Sequence, residues 1–277
     1  MRLRIEMQAS IQNMGTSKMK DGKMFWHLYT DMANQFVDMI DVFPPARFVE
    51  KAERNMIAVV KIPELSPGES FTPTVILRID TTARDWLMEP QDIPDQIKSR
   101  LRGTFGKMKK FWEVEDPVIQ ELSQSIAERV SSDEAYVRLA HDVVRDRLKL
   151  KTHLDERRGA SRAIREKEGD CDEHADLLIA LARAVKIPAR RVLGHYYKGV
   201  PEPEPHAWCE VFVERLGWIP VDPALNRFGV LNENYFSRIR EGLVSQRPPI
   251  QLKVNRDTST APTIEEHIRM ESVPNGS

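Results

Sequence analysis

The chain has 277 residues, enough for one large domain or two ordinary ones with a substantial core. Apolar residues make up 41% and charged residues 30%, with a mean hydropathy of -0.46, a composition that argues against helical membrane spans and against a wholly disordered chain. Lys and Arg number 41 against 42 Asp and Glu, a net charge of -1, so no global field selects a polyanion or a membrane surface as partner.

The opening segment MRLRIEMQASIQ sets Leu3, Ile5, Met7, Ala9 and Ile11 on every second position, the period of a half-buried strand. The charges between them leave no unbroken apolar stretch of the kind a secretory leader needs, and no later segment approaches a helical membrane span. Val75, Leu77 and Ile79 repeat the alternation after the turn signal Ser66-Pro67-Gly68. The runs Phe36 to Phe43 and Met56 to Ile62 are bounded by Pro44-Pro45 and Pro63, as in a small antiparallel sandwich. Residues 1 to about 85 therefore read as mostly β.

From Glu89 the period changes. Val118, Ile119, Leu122, Ile126 and Val130 follow helical spacing, as do Leu139, Ala140, Val143, Val144 and Leu148 behind a cap at Asp133. A third helix runs from Cys171 to Val185, with Leu177, Leu178, Leu181, Ala182 and Val185 on its buried side and Pro188 enforcing its end. Strands follow at Arg190 to Tyr197, His206 to Val213 and Trp218 to Asp222, the last two joined by a short turn within Glu214 to Gly217. After about Pro248 the sequence turns polar and aperiodic, so the last 20 or so residues are expected to form a loosely held tail.

Cys171 and Cys209 are the only cysteines, too few for a disulfide scaffold or a four-cysteine zinc site, which points to a reducing, cytoplasmic setting. Gly169-Asp170-Cys171-Asp172-Glu173 places Cys171 in the first turn of a helix, where free backbone N–H groups and the positive dipole end favour a thiolate. Asp170 and Glu173 are spaced for a capping box that would hold that turn. Strand alternation puts His206, Trp208 and Glu210 on one face and Ala207, Cys209 and Val211 on the other, so Cys209 is a poor second nucleophile. Hairpin pairing with residue indices summing to about 429 to 431 brings His206 next to Asp222. A thiol, an imidazole and a carboxylate then fall into the roles of nucleophile, proton carrier and orienting group.

The segments GDCDEHADLLIALARAVKIPARRVLG, PHAWCEVFV and GWIPVDPALN resemble, in order and spacing, the catalytic core of the transglutaminase-like superfamily. The resemblance covers about residues 115 to 245 and implies an α+β chain: a papain-like transglutaminase core with a Cys171, His206, Asp222 triad. It also implies an N-terminal antiparallel β-sandwich. The expected organisation is a sandwich over 1–88, a helical connector over 89–114, the core over 115–247 and a partly disordered extension over 248–277. Lys186 stands where the family has a helix-ending glycine, a left-handed position that costs a lysine about 1 kcal/mol.

The activity this implies is cysteine-dependent amide hydrolysis through a thioester, as in a peptidase or amidase acting on a peptide or protein. Two alternatives are acyl transfer to an amine, as in a transglutaminase, and a catalytically silent interaction module on the same fold. Cys171 and His174 at i and i+3 could reach one metal with His206 and Asp222, but no second Cys/His pair supports a site, so neither metal nor cofactor is expected. His195, Tyr196 and Tyr197 end a strand near the cleft, where core or rim packing is the simpler role. The basic stretch Lys98 to Lys110 reads as a solvated helix face and not a nucleic-acid stripe. From Arg145 to Lys167 nine Lys and Arg face four acids, an excess of five positive charges leading to Cys171 that hints at acidic substrates.

Overall fold

The alternation that opens the sequence becomes β1 (Arg2–Gln12), in which Leu3, Ile5, Met7, Ala9 and Ile11 are all fully buried. The computed structural model describes residues 1–105, 109–152, 154, 156–244, 246–255 and 260–273. After β1 come β2 (Lys20–His27), β3 (Gln35–Phe43), β4 (Arg47–Lys51), β5 (Asn55–Ile62), β6 (Ser70–Phe71), β7 (Thr74–Thr81) and β8 (Arg84–Asp85). A first helix, α1 (Asp95–Phe105), carries part of the basic stretch; Lys107 lies outside the described residues.

The second half begins with α2 (Pro117–Ala127), capped by Asp116, and α3 (Asp133–Arg147). The cap of α3 is Ser132, whose hydroxyl accepts from the Ala135 N–H at 3.2 Å; Asp133, the expected cap, is the first helical residue and pairs with Arg102 at 2.7 Å. Strand β9 (Lys149–Leu150), helix α4 (Ala160–Glu166) and strand β10 (Glu168–Gly169) lead into α5 (Cys171–Ala184). There follow β11 (Ala189–Tyr196), β12 (Glu204–Val213), β13 (Gly217–Asp222), β14 (Arg227–Phe228), β15 (Val230–Leu231) and β16 (Tyr235–Glu241), then β17 (Ile250–Asn255) and β18 (Thr263–Ser272).

The N-terminal strands build two antiparallel sheets, ordered β18-β1-β7-β3 with β6 beside β1, and β17-β2-β5-β4. Their inward faces meet: Ile5, Met7 and Leu77 of the first sheet share a core with Trp26, Val60 and Ile62 of the second. The expected loose tail is corrected here. β18 pairs with β1 from Leu3↔Ser272 to Gln12↔Thr263, and β17 pairs with β2, so the end of the chain completes both sheets. Residues 256–259 and 274–277 lie outside the described residues.

The remaining elements form a mixed α/β layer: an antiparallel sheet ordered β14-β13-β12-β11-β16, with α5 packed on β12 and β11 and with α2, α3 and α4 packed around α5. Because it is covered on every side, α5 is buried at every residue from Glu173 to Arg183, beyond the single stripe its spacing implies. Its polar groups are satisfied internally. Arg183 donates to the Ala189 and Gly242 carbonyls and lies over the Trp112 ring, and Asp176 accepts from Trp112 Nε1 at 2.8 Å. The helix ends as its sequence implies: Lys186 sits at φ 66°, with Lys186 N–H to Arg183 O at 3.0 Å and Ile187 N–H to Ala182 O at 2.9 Å, a Schellman motif closed by a lysine. Among the described residues no helix is long and apolar enough to cross a membrane.

Candidate active site

Parallel pairing of β10 with β9 delivers the chain to the start of α5 at Gly169. A side chain here has no room, since a Cβ would lie 2.3 Å from that of Glu173. The capping box forms as its spacing requires: Asp170 accepts from the Asp172 N–H at 2.8 Å, and Glu173 accepts from the Asp170 N–H at 3.1 Å. Glu173 also accepts from the Arg158 N–H at 2.7 Å, and burial raises its carboxyl to about 7. His174 donates through Nδ1 to the Asp170 carbonyl at 2.7 Å, which gives it a role in shaping this turn.

Cys171 is the first residue of that helix and is partly exposed. Its sulfur faces the backbone N–H of Ala207, the neighbour of His206. Burial above all, and then Asp172 and Asp170, push the thiol up to about 12, while the Ala207 N–H and Arg191 act in the opposite direction. Burial first, and then the two carboxylates that flank the sulfur, thus oppose the thiolate that the helix N-terminus favours. Cys209 is fully buried on the opposite face of β12, and its thiol donates to the Ala175 carbonyl at 3.3 Å.

The β12–β13 hairpin pairs Cys209 with Val221 and Val213 with Gly217, a register sum of 430 that falls within the expected range. His206 Nε2 lies 2.7 Å from Asp222 Oδ2, and Asp222 is fully buried. The same Oδ2 accepts from the Tyr235 hydroxyl at 2.7 Å, and Oδ1 accepts from the Leu225 N–H at 3.0 Å. With Nε2 on the carboxylate, Nδ1 of His206 is the ring nitrogen left for proton transfer. Trp208 stacks against the imidazole at 5.9 Å, and Tyr196 and Tyr235 close around it at 6.2 and 5.8 Å. The structure joins His206 and Asp222 directly; Cys171 arrives at the adjoining backbone, without a hydrogen bond to the imidazole.

Residues 120–223, which include all three of these positions, match the family model of the transglutaminase-like superfamily. They form a transglutaminase-like superfamily domain. No curated protein matches the sequence. Among solved structures, a protein from Cytophaga hutchinsonii provisionally named a cysteine protease is similar over 100% of this chain and 92% of its own, with a TM-score of 0.68 and 17% identity. The periplasmic domain of TgpA from Pseudomonas aeruginosa is similar over 79% of this chain and 69% of its own, with a TM-score of 0.42 and 15% identity. At 17% identity the likeness to the Cytophaga hutchinsonii protein is one of fold.

Within the transglutaminase-like domain, the positive excess before Cys171 is largely paired off. Arg158 and Arg162 both reach Glu166, Arg165 reaches Asp116, Lys151 reaches Glu168 and Arg157 reaches Asp176. Asp155 lies outside the described residues. Behind the cysteine, Arg191 links Asp172 to the buried Glu241. Of the aromatic trio at the end of β11, only Tyr196 faces the imidazole: His195 Nδ1 is 2.7 Å from the Tyr29 hydroxyl, and Tyr197 is buried in the sandwich core. Tyr235 was not legible as a site residue, because only the placement of β16 beside β11 brings it to Asp222. Among the described residues no group of three or more His, Cys, Asp or Glu is arranged to hold a metal ion.

Proposed function

We propose that the chain is a cysteine-dependent amide hydrolase, with Cys171 as nucleophile, His206 as proton carrier and Asp222 as its orienting group. The observation that carries this reading is the His206–Asp222 pair at 2.7 Å, on the residue adjoining the backbone N–H that the Cys171 sulfur faces. Since burial disfavours the thiolate, proton transfer accompanies attack: His206 Nδ1 takes the thiol proton as sulfur bonds to the carbonyl carbon of the amide. The C–N bond then breaks, the departing amine takes that proton, and a thioester remains. Water attacks the thioester and gives a proton to His206; the acid leaves, and the proton returns to sulfur. Asp222, held in turn by Tyr235 and the Leu225 N–H, supports the imidazolium in both halves.

A panel of blocked peptide amides, assayed with and without an added amine, tests this. The expected result is release of acid, a mass increase on Cys171 corresponding to the acyl group after rapid quenching, and loss of both in Cys171→Ala. A product carrying the added amine in place of acid would assign acyl transfer instead, and no acylation of Cys171 by any amide would assign a silent fold.

A further inference from the structure

Between the N-terminal sheets and the face of β11, β12 and β13 turned away from α5 lies a cavity of about 610 Å³. Its size falls within the range of small-molecule sites. Cys171, His206 and Asp222 do not line it; the sheet contributes Arg190, Glu210, Arg240 and Trp218, and the sandwich side contributes Asp31 and Arg54.

The charges in this cavity do not balance. Glu210 serves two arginines, accepting on one oxygen from Arg190 Nε at 2.7 Å and Arg240 Nε at 3.0 Å. Both guanidinium side chains are only 11% exposed, so two buried cations share one carboxylate. Arg84, which also lines the cavity, is occupied by the Ala33 carbonyl and Glu89. Arg54 has no side-chain partner among the described residues. Among the remaining lining side chains Arg54, Arg190 and Arg240 stand against Glu210 and Asp31; Glu53, outside the lining, also acts on Arg190 but is itself held by Arg247.

Arg54 is also held in place against backbone strain. Glu53 and Arg54 lie consecutively in the left-handed region, at φ 66° and 60°, which such residues occupy only where neighbours compel it. The compulsion is visible: Asn55 accepts from the Arg240 N–H at 2.8 Å and donates to the Arg240 carbonyl at 3.0 Å, and Glu53 takes Arg247 at 3.1 Å. One turn therefore fixes Arg54 to the strand that carries Arg240. Beside them, Arg190 lies 4.1 Å over the Trp218 ring, which sets an apolar surface next to the cations.

We propose that this cavity binds a small organic anion, whose carboxylate or phosphate is taken by Arg54, Arg190 and Arg240 while its apolar body rests against Trp218. Guanidinium groups recognise either oxyanion in a fork geometry. Tryptophan-fluorescence titrations of the full chain with benzoate, phenyl phosphate and neutral benzyl alcohol test the site and separate the two oxyanions. At least one anion should bind ten or more times more tightly than benzyl alcohol, and Arg54→Ala should weaken it at least tenfold, as should Arg240→Gln. Cys171→Ala should leave the binding unchanged. Arg54 is exposed, so its substitution tests the site even where Arg240→Gln fails to fold. Equal binding to wild type and Arg54→Ala, benzyl alcohol binding as tightly as the anions, or no binding of either anion up to about 10 mM would overturn the proposal.

Discussion

Tyr235 and His206 meet on a single oxygen: Asp222 Oδ2 receives the phenol hydroxyl and imidazole Nε2, each at 2.7 Å. The phenol thus draws off part of the carboxylate charge that would otherwise support the imidazolium. In Asp222→Asn the imidazole loses its charged support, so Cys171 alkylation at neutral pH should slow at least tenfold, whereas Tyr235→Phe leaves the carboxylate on Nε2 and should keep the rate within about threefold. The fold should lose about 1 kcal/mol in Tyr235→Phe, read from denaturant unfolding. An unchanged rate in Asp222→Asn would remove the orienting role from Asp222.

The two thiols should separate cleanly in alkylation. Cys209 is fully buried and bonded to the Ala175 carbonyl, whereas Cys171 is partly exposed and faces the Ala207 N–H. Mass mapping of the native protein after iodoacetamide should therefore find label on Cys171 alone. Because that thiol is pushed up to about 12, its rate in His206→Ala should climb with pH without a plateau below about 10. At neutral pH that variant should react at least tenfold more slowly than wild type. Equal labelling of both cysteines would contradict the geometry.

Lys186→Gly should stabilise the protein. The Schellman motif at the end of α5 holds Lys186 at φ 66°, where a Cβ is penalised and glycine is not. The expected gain is about 1 kcal/mol, or about 2–4 °C in Tm for a chain of this size. A lower Tm would show that the lysine side chain supplies something the strain does not outweigh.

Acid should loosen the contact between the sandwich and the layer that holds Cys171, His206 and Asp222. Burial, and then Arg238, lower His195 well below its ordinary range, to about 3, and burial, Arg238 and Arg247 lower His27 to about 4. Both imidazoles are neutral in the fold and protonate near 6.5 once the chain unfolds. The unfolded state therefore takes up these two protons first, and the contribution of the two histidines should fall by a few kcal/mol from about pH 6.5 toward 4, partly offset by Glu173, whose raised carboxyl takes up its proton in the fold first. Thermal unfolding against pH reads this, and His27→Gln with His195→Gln should flatten the slope.

Where local pattern and tertiary environment agree, the sequence was readable. The alternation of β1, the capping box at Asp170 and Glu173, the hairpin register and the left-handed Lys186 each follow from spacing or from a single residue's backbone demands. β18 was missed because its alternating series Ile264, Glu266, Ile268, Met270 is broken by a carboxylate and Ile264 stays exposed. That carboxylate is held by Trp26 and by Arg238, partners remote in sequence. The pairing of the charge excess before Cys171 was hidden for the same reason, since Asp116 and Asp176, which offset part of it, lie outside the stretch. The rise of the Cys171 thiol needed the depth of burial, which spacing does not report.

The pairing of Leu3 with Ser272 bears on how the protein is made. β1 leaves the ribosome long before its neighbour β18, so one side of β1 stays without its hydrogen-bonding partner until β18 has emerged. The segment from α2 to β16 emerges whole before either sandwich sheet can close. The layer that holds Cys171, His206 and Asp222 can therefore settle first, and the sandwich closes around its edge once β17 and β18 have been made, a long-range step.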